Sequence, residues 1–189
     1  MIDDLDGRVA VVTGAASGIG RALAVRCAAE GMRVVAADVE EPPLTDTVTT
    51  ISEAGGTAIG QVCDVSDWDA VDALRAATAD AFGTADLVVN NAGVSGTGPF
   101  GTLDLATWRW TLGVNLWGVI HGITAFLPGM VERGSGHIVN TASIAGHLTS
   151  PSMGPYNASK HAVVAISETL HEEMLQASTG VGVTCLCPG

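Results

Sequence analysis

The sequence predicts an α/β fold: a doubly wound parallel sheet covered by helices on both faces, three layers deep. Three observations predict it. Short apolar runs rich in Val, Ile and Ala alternate with longer stretches of helical pattern along the 189 residues. These runs are continuously apolar, as strands buried on both faces must be. Glycines close the helical stretches at Gly31, Gly55 and Gly83, where the chain has to turn. Strand–helix alternation joined by right-handed crossovers generates this architecture.

The elements follow in order. Residues 8–13 read as a buried first strand, and residues 19–30 as a helix closed by Gly31. Residues 34–37 form the second strand, followed by a helix over 43–54 that ends at Gly55-Gly56. Residues 57–62 are the third strand. Ser66 is expected to cap a helix over 67–82, with Gly83 after it. Residues 87–90 are the fourth strand; a glycine-rich loop follows, then helices across 103–133. Residues 138–141 are the fifth strand, 156–176 a helix and 181–186 the sixth strand. No repeat, low-complexity tract or linker interrupts the series. The length suits one domain with a real core and is too short for two full-sized ones, so a single domain over 1–189 is expected.

Composition narrows the function. The chain is 47% hydrophobic and 15% charged, with 24 glycines, which is the profile of a packed globule. Its net charge of −12 argues against nucleic acid and anionic membrane surfaces as partners, since both need basic patches. The opening Met1-Ile2-Asp3-Asp4-Leu5-Asp6 lacks the positive charge and apolar stretch of a signal peptide. The uncharged stretch from Trp110 to Val131 holds Asn115, His121, Pro128 and glycines, and reads as a buried or interface helix, not a membrane span. Cys27, Cys63, Cys185 and Cys187 include no Cys-x-x-Cys and read as core thiols of a reducing cytoplasm. No histidine shows ligand spacing with carboxylates, so no metal is expected.

The first strand runs into Thr13-Gly14-Ala15-Ala16-Ser17-Gly18-Ile19-Gly20 and then a helix. Gly14 permits the tight turn, Gly18 lets backbone approach a pyrophosphate, and Gly20 lets the helix pack close to the strand. The N–H groups and dipole of the helix start favour a phosphate, as in the Rossmann-like dinucleotide fold. Asp38 ends the second strand. A carboxylate there accepts hydrogen bonds from adenosine ribose hydroxyls and repels a 2′-phosphate. Val39, Glu40 and Glu41 follow with no arginine, so NAD is expected in preference to NADP.

The chain has one tyrosine and one lysine, in Tyr156-Asn157-Ala158-Ser159-Lys160. Four residues apart on a helix, they share a face. An ammonium beside a phenol stabilises the phenolate, which makes the pair an acid/base candidate. Ser143 lies thirteen residues before Tyr156, just past an apolar run.

The glycine pattern Thr-Gly-x-x-x-Gly-x-Gly, then Asn90-Asn91-Ala92-Gly93, Ser143, Tyr-x-x-x-Lys and Pro188-Gly189, resembles the short-chain dehydrogenase/reductase superfamily, in its short single-domain branch. The likeness covers essentially the whole chain. It implies an NAD-dependent oxidoreductase that moves a hydride between nicotinamide and a secondary alcohol or ketone. It implies Tyr156 as general acid/base, Lys160 tuning it and holding the nicotinamide ribose, Ser143 positioning the substrate oxygen, and Asn115 ordering a water that links Lys160 to solvent. It further implies that Asp64 and Val65 contact adenine, and that Asn91, Ala92 and Gly93 line the adenosine ribose. Pro188 and Gly189 would form the turn beside the nicotinamide, and Ser17 and Ile19 would join the glycines around the phosphates. Trp108, Trp110 and Trp117 stand near a helix that packs against a partner subunit in this family, which implies a homodimer or homotetramer.

Family members continue past the Pro-Gly turn with a carboxamide-binding threonine, a lid and a last strand, so the resemblance implies a C-terminally incomplete chain. Two other functions fit the same residues: a non-catalytic NAD-binding module, and a 3-oxoacyl-thioester reductase. Residues 144–155 are small and apolar, which suits a hydrophobic alcohol. His147 falls where a substrate pocket wall would form.

Overall fold

The computed structural model describes residues 4–189; Met1 to Asp3, where the acidic N-terminal stretch begins, lie outside the described residues. The elements are β1 (Val9–Thr13), α1 (Gly18–Ala29), β2 (Arg33–Asp38), α2 (Glu41–Glu53), β3 (Thr57–Val62), α3 (Trp68–Phe82), β4 (Leu87–Asn90), α4 (Leu105–Leu112), α5 (Gly118–Arg133), β5 (Gly136–Thr141), α6 (Gly154–Gln176) and β6 (Val181–Leu186). Six strands form one sheet in the order β3-β2-β1-β4-β5-β6, every pair parallel. This is the doubly wound α/β fold that the alternation predicts. The winding reverses beside β1, between β2 and β4. In such sheets the loops at the carboxyl ends of the strands splay apart at this point and leave a crevice.

Successive residues of a strand face opposite sides, and the packing follows that rule. Val11, Val35, Val88 and Ile138 are buried with Leu74 of α3, Phe126 and Met130 of α5, and Leu170 of α6. Val12, Val34 and Ala36 are buried on the other side with Ala24 and Cys27 of α1 and Leu44 and Ile51 of α2. Fully burying each Val, Leu or Ile contributes about 1.5–3 kcal/mol, and the two layers together fix which way every strand faces.

Two local readings need correction, and a third gains detail. The cap of α3 is Asp67, whose carboxylate accepts from Asp69 N at 3.0 Å; Ser66 instead donates its N–H and hydroxyl to Asp64 Oδ1. Two turns compete there, and the aspartate at 64 takes the serine into its own turn. The second helix starts at Glu41, two residues before the expected Pro43, because Pro42 and Pro43 suit the first turn of a helix and do not block it. The helices expected over 103–133 form one nearly continuous run, Leu105–Arg133, with a single π turn at Gly113–Trp117. By length and composition this run could cross a membrane. Its Val119, Gly122, Ala125, Phe126 and Met130 are buried in the fold.

Helix α5 approaches β4 closely at Gly122. A Cβ there would stand 2.0 Å from Asn90 Oδ1. Asn90 begins a buried polar chain across the sheet: its amide donates to Asn140 Oδ1 at 2.9 Å, and Asn140 donates to Ser167 Oγ of α6 at 3.0 Å. Each buried polar group on that chain has a partner, so the chain locks β4, β5 and α6 together.

Candidate active site

The glycine turn is built by its neighbours as much as by its own residues. Gly14 has φ +67°, and the space where its side chain would lie is taken by Ala92 Cα at 2.9 Å. At Gly20 a Cβ would meet Gly14 O at 2.0 Å, so the first turn of α1 rests directly on the loop. Thr47 Oγ1 of α2 donates to Ala15 O at 2.9 Å, and Asp38 Oδ2 accepts from Ala16 N at 3.0 Å. The start of α1 has no acidic residue in its first turn and no side-chain cap. Its free N–H groups and positive dipole end are open to an anion.

A second loop, 91–94, closes over the end of β1. Thr13 Oγ1 accepts from Asn91 N at 2.9 Å and from Ala92 N at 3.1 Å, while Asn91 Nδ2 donates to Thr13 O at 3.0 Å. Asn115 in the π turn holds the far side: Val94 N donates to its Oδ1 at 2.7 Å, and its Nδ2 donates to Val94 O at 2.9 Å and Ser159 Oγ at 3.1 Å. The π turn is the local distortion that carries this asparagine, an arrangement often found at functional sites.

Helix α6 brings in Tyr156 and Lys160. It starts at Gly154 with Pro155 in its first turn, and one helical turn separates the two side chains. Lys160 Nζ stands 5.6 Å from the centre of the Tyr156 ring and donates to Thr141 O at 2.8 Å. The lysine is only 3% exposed, and burial pulls its ammonium down from 10.5 to about 8. At neutral pH it remains mostly charged, with donors left beyond the one given to Thr141.

Ser143 lies just beyond β5. Its Oγ accepts from Ala145 N at 3.1 Å and is 3.5 Å from Pro188 O, to which it donates weakly. Ile144 N makes the stronger bond to Pro188 O, at 2.8 Å. The turn after β6 is thereby fastened to the serine corner.

These pieces surround a cleft of about 740 Å³ at the carboxyl ends of the strands. Of the residues singled out in the sequence, Gly14, Ser17, Gly18, Ile19, Asp38, Asp64, Val65, Asn91, Ala92, Gly93, Tyr156, Lys160 and Pro188 line it. Gly20, Asn115, Ser143 and Gly189 do not. Gly20 and Asn115 hold the lining residues from behind, and Ser143 follows Ala142, which does line the cleft. Sequence reasoning missed Thr13, Thr47, Thr141 and Ser159. Their work is hydrogen bonding to backbone and neighbouring side chains, which no spacing encodes; only the position of Thr13 directly before Gly14 was a usable signal. It also missed Val114, and it set Trp110 beside a subunit-packing helix, whereas both line the cleft. His147 approaches Cys187, with Nε2 3.6 Å from its Sγ. Among the described residues no group of three or more His, Cys, Asp or Glu converges as metal ligands.

A family model described as short chain dehydrogenase matches residues 8–189. A protein of Mycobacterium tuberculosis named as an oxidoreductase, SadH, is 38% identical over 188 residues; the match covers 100% of this chain and 68% of that protein. A crystal structure of a short-chain dehydrogenase/reductase from Burkholderia phymatum in complex with NAD is 48% identical, with a TM-score of 0.97, covering 99% of this chain and 67% of that one. An actinorhodin polyketide ketoreductase with NADPH is 40% identical, with a TM-score of 0.93, covering 100% of this chain and 72% of that one. The chain belongs to the short-chain dehydrogenase family of oxidoreductases, and it spans about two thirds of the length of these relatives.

Proposed function

We propose that this chain is an NAD-dependent dehydrogenase/reductase of secondary alcohols and ketones, with Tyr156 as its general acid/base. The observation that carries the reading is the Lys160 ammonium facing the Tyr156 ring in the same cleft as the glycine turn. Gly18 has φ +53° with open space where a side chain would lie, beside a helix start free of acids, and this suits a dinucleotide pyrophosphate. Asp38 and Glu40 also line the cleft, and their charge favours a free ribose over a 2′-phosphate.

Bound NAD would supply the hydride acceptor at its nicotinamide. The remaining work falls to the chain. Tyr156 takes the hydroxyl proton of the alcohol, or returns it to the ketone oxygen, with Lys160 supplying the positive charge that steadies a phenolate. Ser143 Oγ, only weakly used by Pro188 O, donates to the substrate oxygen as its charge changes. Lys160, whose ammonium has donors to spare beside Thr141 O, would hold the nicotinamide ribose. Asn115 keeps the 91–94 loop and Ser159 in register and supports the water path to Lys160. Asp64 and Val65, which line the cleft, would hold adenine, Asn91 to Gly93 the adenosine ribose, and the Pro188-Gly189 turn the nicotinamide.

The polyketide ketoreductase likeness favours a second reading, reduction of a 3-oxoacyl thioester on the same fold. A non-catalytic NAD-binding module is the third. We place the protein in the cytoplasm as a single-domain homodimer or homotetramer, independent of nucleic acid, metal and membrane. Its acidity, its unpaired thiols and the exposed Trp110 and Trp117 support this. A panel of secondary alcohols with NAD and with NADP, and of acyl-thioester ketones with the reduced nucleotides, tests the choice. Preferential reduction of NAD by an apolar alcohol is expected. Nucleotide binding without turnover of any member would reject the enzyme reading.

A further inference from the structure

Cys187 follows β6 and stands between two partners. Its Sγ is 3.7 Å from Sγ of Cys185 and 3.6 Å from Nε2 of His147. Cys185 and Cys187 are alternate residues leaving an extended strand, so both side chains point to the same face. The strand ends at Leu186, which leaves Cys187 free of the sheet ladder and able to bend toward Cys185. Cys27 and Cys63, at 8% and 3% exposed, are sealed in the core, while this pair is only half-buried.

We propose that Cys185 and Cys187 form a reversible disulfide when a hydroperoxide oxidises the protein. The order of attack follows from the surroundings. Burial pushes the Cys185 thiol up to about 11, which keeps it protonated, whereas Cys187 has an imidazole within reach of its proton. His147 Nε2 takes the Cys187 proton, and the thiolate attacks the terminal oxygen of the hydroperoxide. The O–O bond breaks, the alkoxide leaves with that proton as an alcohol, and Cys187 becomes a sulfenic acid. Cys185 then attacks the Cys187 sulfur; an S–S bond forms and water departs. Two thiols are oxidised and one hydroperoxide is reduced.

The bond would act on the site proposed above, and this consequence rests on that reading. Cys187 immediately precedes Pro188, whose carbonyl accepts from Ile144 N and Ser143 Oγ. Drawing Cys187 toward Cys185 displaces Pro188 and pulls on the serine corner, so oxidation lowers turnover.

The test is hydrogen peroxide treatment of the purified protein, read by intact mass, peptide mapping and turnover, with C185S and C187S in parallel. Wild type is expected to lose about 2 Da, with both cysteines in one cross-linked peptide, and to lose activity that dithiothreitol restores. Both variants fold, as judged by circular dichroism, and C185S is active; neither shows the mass loss or the reversible inhibition. Sulfinic or sulfonic acid without cross-linking, a link to Cys27 or Cys63, or a disulfide that leaves turnover unchanged would each overturn the proposal. If reduced wild type turns over no substrate at all, the functional reading fails, while the mass arm still decides the thiol pair.

Discussion

Asp38 Oδ2 accepts a hydrogen bond from the main-chain N–H of Ala16 at 3.0 Å, joining the end of the second strand to the middle of the glycine turn. Its other oxygen accepts from Glu40 N at 3.1 Å. The residue expected to select the nucleotide therefore also holds the glycine turn in place. Asp38→Ala should weaken discrimination against NADP and also destabilise the fold by about 2 kcal/mol, because both bonds to the carboxylate are lost. Asp38→Asn, which keeps one of the two acceptor oxygens and removes the charge, should recover part of the stability and less of the selectivity. Thermal unfolding alongside the NAD/NADP ratio of kcat/KM measures the two roles separately; equal loss of selectivity and stability in both variants would refute the division.

Lys160 gives a pH signature. Its folded-state value is lowered to about 8 by burial, against 10.5 for an unburied lysine. Between these values the unfolded chain binds more protons than the folded one, so this residue's contribution to stability rises with pH across that window. Below pH 8 the cost of burying the ammonium is present in full. Lys160→Met, which removes the charge, should be more stable relative to wild type below pH 8 than at pH 10.5. The gap should shrink by on the order of 2–3 kcal/mol over that range. Chemical denaturation of both proteins across the range checks it; a constant difference would contradict the burial.

Gly122→Ala should destabilise the protein by about 2–4 kcal/mol although the substitution is small, because the new methyl would meet Asn90 Oδ1 at 2.0 Å. The asparagine would have to leave Asn140, and Asn140 and Ser167 would lose their register. Asn90→Ala in the same background should recover part of the loss by removing the clash, so a double-mutant cycle with a non-zero coupling energy is expected.

Most of the fold was legible because the central strands β1, β2 and β4 are buried, continuously apolar runs. All six strands fall where the sequence places them, within a residue or two at their ends. Boundaries slipped where local chemistry offered two solutions. At Asp64-Val65-Ser66-Asp67, two aspartates and a serine can each build a turn, and only packing decides that Asp67 caps α3. The π turn at Asn115 was not legible either, since one extra residue in a helical turn leaves the apolar periodicity almost unchanged. The cleft was legible through residues whose type is constrained by chemistry: glycines at the turn, a carboxylate at a strand end, and a phenol one helical turn from an ammonium. The residues that brace it, Thr13, Thr47 and Ser159, act through hydrogen bonds to groups distant in sequence, and such pairings exist only once the sheet has assembled.

The claim on which the rest depends is that the Tyr156 phenol moves the substrate proton. Tyr156→Phe keeps the ring under Lys160 and removes only the hydroxyl. With NAD and the best alcohol of the panel, turnover should fall by roughly 10²–10⁴-fold while the Kd for NAD changes little. Turnover within a few-fold of wild type would contradict the account.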